Sequence, residues 1–153
     1  MKRLLFTIIS LFTLMLVSCR EKETGPDYAK PLVGNWKVDR ADIVRYIPDS
    51  SFVFTYNPAD SGHVAQLTVK KIDPITINIY MRLSRGNGLL LYEYSFDTPL
   101  VQDPNNEEII LFNINQHYGS GGYNAEENLL MVYSIRQANG EWSGSSFRFW
   151  GRR

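Results

Sequence analysis

From residue 32 to residue 150 the apolar positions fall with a period of two, and no long stretch shows the 3.6-residue spacing of an amphipathic helix. The clearest run is "PITINIYMRLS". Ile75, Ile77, Ile79, Met81 and Leu83 share one face, and Thr76, Asn78, Tyr80, Arg82 and Ser84 share the other. Successive side chains of a strand point to opposite faces, so this pattern predicts a half-buried strand. Similar alternation groups Phe52, Phe54 and Tyr56 in "FVFTY", and Ala65, Leu67 and Val69 in "AQLTVKK". It groups Tyr92 with Tyr94 in "LLLYEYSF", and Ile110, Phe112 and Ile114 in "EIILFNINQ". In "NLLMVYSIR" it groups Leu129, Met131, Tyr133 and Ile135, and in "GSSFRFW" it sets Phe147 and Phe149 against Arg148 and Trp150.

Turn-forming residues separate these runs. Asn87-Gly88 and Asn139-Gly140 are hairpin signals. By composition, 57–62, 97–108 and the Gly-rich 116–128 read as loops. Eight to nine short strands at this spacing predict an all-β fold, either an antiparallel barrel or a β-sandwich. An up-and-down barrel of about eight strands is favoured, because closure removes the edges that would otherwise recruit other chains.

Residues 1–18 break the pattern. Lys2 and Arg3 precede the apolar stretch Leu4–Val17, which is 14 residues long. That is short for a membrane span, which needs about 20 residues, and it suits a secretory leader. The next residue is Cys19, the only cysteine of the chain. The four residues "LVSC" at 16–19 resemble the lipobox of bacterial lipoproteins. The resemblance implies that the leader is removed before Cys19 and that the thiol carries diacylglycerol, with a further acyl group such as palmitate on the new N-terminus. Two or more acyl chains hold a protein stably, at about 0.8 kcal/mol per buried methylene. Residues 19–31 then read as the lipidated cysteine and a flexible tether, charged and containing Gly25, Pro26 and Pro31. Glu21, Lys22 and Glu23 also resemble the surface-export signal of some bacterial lipoproteins. The expected location is the cell envelope, lipid-anchored at a membrane, with the outer membrane favoured.

The domain 32–153 opens with "PLVGNWKVDR". Gly34-x-Trp36 after an apolar pair resembles the first-strand motif of lipocalins and of lipocalin-like domains in bacterial lipoproteins. In that family the tryptophan closes one end of the barrel, and an arginine from the last strand packs across its ring. Such a cation–π contact is worth about 0.5–2 kcal/mol. Arg148 is the matching position, and Arg136 is the runner-up. The chain departs from typical lipocalins in having no disulfide and no helical segment.

Composition then limits the chemistry. With 16 basic and 16 acidic residues the formal charge is zero, and it is −2 once Lys2 and Arg3 leave with the leader. No nucleic-acid footprint follows from that balance. His63 and His117 share no metal-ligand spacing with other donors, and neither a metal nor a cofactor is expected. The adjacent acids Glu107-Glu108 and Glu126-Glu127 point to opposite sides of an extended chain, so neither makes a catalytic pair. Neither a Gly-x-Ser-x-Gly elbow nor a phosphate loop is present. The expected function is a non-catalytic, membrane-anchored binding module for a small apolar ligand or an envelope partner. A protein-binding inhibitor or assembly accessory is the alternative, and a hydrolase is the least favoured reading. Tyr92, Tyr94, Tyr118 and Tyr123 are the candidate contact residues, since tyrosine joins a large apolar face to a polar tip. Core packing is the competing role for each of them.

Overall fold

A computed structural model describes residues 25–47, 50–57, 62–114, 119–136 and 142–153. Nine strands occur in it, and no helix is found among the described residues. They are β1 (Gly34–Ile47), β2 (Ser50–Tyr56), β3 (His63–Asp73), β4 (Thr76–Arg85), β5 (Leu90–Asp103), β6 (Asn106–Ile114), β7 (Gly119–Asn124), β8 (Leu129–Arg136) and β9 (Trp142–Arg152). Every pairing is antiparallel. The order β1-β3-β4-β5-β6-β7-β8-β9 returns to β1, which closes an eight-stranded up-and-down barrel. β2 lies outside that ring as a hairpin partner of β1. The sandwich alternative is thereby excluded.

Two long strands turn the corners. β1 pairs with β3 through Gly34–Trp36 and with β2 through Ala41–Ile47, on either side of an irregularity between Val38 and Arg40. β5 pairs with β4 as far as Pro99 and with β6 from Leu100 onward. Proline has no N–H for a ladder, so Pro99 suits the point where a strand changes partner.

The barrel core is one contiguous apolar cluster. Ile77, Ile79, Met81 and Leu83 are fully buried on the inner face of β4. Ile75 does not join them: it stands in the β3–β4 turn, about half exposed. The Asn87-Gly88 turn joins β4 to β5, with the Gly88 N–H donating to the Arg85 carbonyl at 2.8 Å. Asn139-Gly140 lies outside the described residues.

Three expected boundaries move. Residues 97–103 are strand, and only a tight turn separates β5 from β6. Residues 119–124 are also strand, paired on both sides. The reason is close packing. A Cβ on Gly121 would stand 2.2 Å from the Met131 carbonyl oxygen and 2.5 Å from the Phe112 ring. Here glycine marks a crowded wall, and composition alone reads the same residues as a loop. Finally, the expected tether 19–31 overlaps the folded body. Ala29 and Leu32 are fully buried, and the Ala29 N–H donates to the Pro74 carbonyl at 3.0 Å. The chain is docked from Asp27 onward, where the Asp27 carboxylate meets Lys71 Nζ at 2.5 Å.

Candidate binding face on the outside of the barrel

Trp36 sits at the barrel end where β1 begins. Its indole N–H donates to the Leu32 carbonyl at 2.8 Å, and its ring meets Tyr123 edge-on, with centroids 5.6 Å apart. Gly151 makes room for it, since a Cβ there would come within 2.8 Å of the Trp36 Cβ. The arginine over the ring is Arg153, with its guanidinium carbon 4.2 Å from the centroid. The same guanidinium donates to the carbonyls of Pro31 (3.2 Å), Leu32 (3.0 Å) and Val33. Arg148 lies elsewhere, 5.6 Å from the centroid of Tyr133. On β9, Phe147 and Phe149 are buried and Arg148 is exposed, so its side chain points away from the barrel interior. The Arg136 side chain falls outside the described residues.

The candidate tyrosines among the described residues, Tyr92, Tyr94 and Tyr123, do not form a common exposed patch. Tyr92 is buried and stacks on Phe147, with centroids 3.7 Å apart and planes 21° from parallel. In the eight-membered ring β5 and β9 are opposite strands, so this stack crosses the lumen. Burial raises the Tyr92 pKa, and the Ser134 hydroxyl offsets this only in part. The Tyr92 hydroxyl has no hydrogen bond of good geometry. Tyr94 is half-buried against Phe96, and Tyr123 is buried beside Trp36. Tyr118, His117 and Cys19 lie outside the described residues.

The register instead assembles an outward row that the alternation left unassigned. Arg40, Trp150, Met131, Gly122, Leu111 and Val101 are successive cross-strand neighbours on β1, β9, β8, β7, β6 and β5. Met131 is 45% exposed and Leu111 is 40% exposed. On β8 the buried face is Leu130, Val132 and Ser134, which leaves Leu129, Met131 and Tyr133 on the outside. Both faces of that strand are rich in apolar residues, so periodicity alone does not say which is buried.

Trp150 divides two shallow grooves. One, of about 210 Å³, is lined by Met131, Tyr133, Arg148 and Trp150. The other, of about 340 Å³, is lined by Asp39, Arg40, Leu129, Trp150 and Arg152. Arg40 lies 4.6 Å from the Trp150 ring centroid. Its fork is fixed by the buried carboxylate of Asp42, with Nε–Oδ1 at 3.1 Å and Nη2–Oδ2 at 2.9 Å. That carboxylate raises the Arg40 pKa. Arg152 meets Asp39 at 3.3 Å. Arg148 makes no ion pair among the described residues and is placed over an aromatic ring at the groove wall. Trp, Tyr, Met and Arg are the side chains that dominate protein interfaces. Among the described residues no three of His, Cys, Asp and Glu gather as metal ligands. The chain matches no family model, no curated protein and no solved structure.

Proposed function

We propose that this protein is a lipid-anchored, non-catalytic binding module of the cell envelope, held at the membrane through Cys19, that engages an envelope partner with the outside of its barrel. The observation that carries this reading is the Tyr92–Phe147 stack across the lumen. An aromatic pair at 3.7 Å between opposite strands takes the volume that an apolar ligand inside the barrel would need. The Trp36–Tyr123 contact fills a second level in the same way. Recognition then falls to the outer face, where Trp150, Met131 and Tyr133 supply apolar area and Arg148 supplies a charge for an acidic group on the partner.

Native mass spectrometry of the protein extracted from its own envelope tests the proposal. The expected result is co-purification with a protein partner that is lost from Trp150→Ala. A bound small molecule of defined mass, retained by Trp150→Ala, would sink it and return the function to the lumen. The lipid anchor has its own test: Cys19→Ala should move the protein out of the membrane fraction.

A further inference from the structure

The barrel end that receives the N-terminal chain carries three hairpin tips of unlike chemistry. The β5–β6 and β7–β8 tips present the exposed acids Glu107, Glu108, Glu126 and Glu127. The β3–β4 tip is apolar apart from exposed Asp73, whose carboxylate accepts from the Ile75 N–H at 2.8 Å, with Ile72 52% exposed and Ile75 51% exposed. Val101, 60% exposed, follows Leu100, whose N–H donates to the Ile75 carbonyl at 2.7 Å. Exposed Lys30 and Lys70 stand close by in the chain and make no ion pair among the described residues. An apolar tip with lysines beside it in the chain suits the boundary between acyl chains and anionic headgroups.

The incoming chain is fixed to this tip by two contacts, and to the end of β5 by one, the Tyr28 hydroxyl donating to Gln102 Oε1 at 3.1 Å. Asp27 is paired with Lys71, the residue before Ile72, and the Ala29 N–H is bonded to the Pro74 carbonyl within the turn. Eight residue steps lead from Cys19 to Asp27, with seven residues between them. Fully extended they reach at most about 28 Å, and any slack brings the tip nearer.

We infer that the β3–β4 tip, with Ile72 and Ile75 leading, docks into the surface of the anionic bilayer that holds the lipid anchor, and that the acidic tips tilt away from it. This inference rests on the lipid anchor at Cys19 proposed above. β8, which carries Met131 and Tyr133, lies opposite β4 in the ring, so docking at β3–β4 would leave that wall turned from the bilayer and open to a partner.

Cys19 is the only native cysteine, and lipidation blocks its thiol, so an introduced cysteine can be labelled alone. Full-length lipidated protein carrying Ile75→Cys, and separately Glu126→Cys, would be labelled with an environment-sensitive fluorophore. Each would be reconstituted in phosphatidylcholine vesicles containing one part in five of phosphatidylglycerol and a nitroxide-labelled lipid. Quenching at position 75 is expected to exceed that at 126 by at least twofold, and to fall when phosphatidylglycerol is omitted. Equal quenching at both positions, or none at 75, would overturn the docking. A second label incorporated at Cys19 would overturn the anchor itself, and mass spectrometry of the labelled protein separates that failure from the first. Both substituted positions are exposed, so the core is unaffected.

Discussion

The Arg153 guanidinium covers the Trp36 indole at 4.2 Å while donating to three consecutive carbonyls of the incoming chain, those of Pro31, Leu32 and Val33. One side chain thus ties the last strand, the first strand and the N-terminal turn together. Arg153→Ala is expected to lower stability by about 1–2 kcal/mol, from the lost cation–π contact and the carbonyls left to water. Arg153→Lys should recover only part of that, because a lysine cannot present a planar fork. Arg148→Ala should change stability by less than about 0.5 kcal/mol, as for an exposed residue. Urea denaturation of the three variants checks the ranking, and an equal loss at both arginines would contradict it.

How much of this was legible in the sequence depends on what each residue shows to a periodic reading. Strands such as β4 announce themselves because buried and exposed side chains differ in polarity at every step. β7 does not, because Gly119, Gly121 and Gly122 have no side chains to alternate. The second half of β5 is masked by Asp97, Pro99 and Asp103, which are turn residues by composition yet here belong to a corner strand. The motif pointed to an arginine of the last strand, and the alternation itself held a correction. Arg148 is out of phase with Phe147 and Phe149, whereas Arg153 is in phase with them. The Trp150 face escaped notice because it exists only through cross-strand register, which single-strand patterns do not contain.

Gly121→Ala should be among the most damaging single-methyl additions in the chain. The new Cβ would meet backbone oxygen and an aromatic ring, neither of which can yield cheaply, so a loss of about 1–3 kcal/mol is expected. Gly122→Ala meets only the Leu111 side chain and the Ile110 carbonyl at 3.2–3.3 Å, and should lose less. Melting temperatures of the pair decide the matter: if Gly122→Ala were the worse of the two, the inward placement of Gly121 would be wrong.

Tyr92→Phe removes a buried hydroxyl that lacks a good hydrogen bond and keeps the stack on Phe147. Stability should be unchanged or rise by up to about 1 kcal/mol. Tyr92→Ala opens a cavity in the same place and should lose about 3–5 kcal/mol. Alkali gives a second readout. The folded-state pKa of Tyr92 is raised above its unfolded value near 10, so its contribution is complete below that pH and declines as pH rises beyond it. Tyrosinate absorbance should therefore show Tyr92 ionising only with unfolding. A Tyr92 signal that titrates near pH 10 in the folded protein would contradict its burial.

The Asp27–Lys71 pair makes an opposite, acid-side prediction about the N-terminal turn. The hydrogen bond from Lys71 is the main cause that lowers the Asp27 pKa, with its charge and the Lys30 amide adding to it. A lowered carboxylate pKa stabilises the folded state above its unfolded value near 3.9, and the effect is lost as pH falls through the lower folded value. Acid should therefore loosen the turn before it opens the barrel, because the pair is exposed and the core is not. Lys71→Met should return the Asp27 titration to the ordinary carboxylate range and speed hydrogen exchange of the Ala29 amide, which is bonded to the Pro74 carbonyl. Exchange of the β4 amides should not change, since their partners lie within the barrel ladder. An NMR titration that finds Asp27 at an ordinary value in the unmodified protein, with no change in Lys71→Met, would show that the pair does not hold the turn in solution.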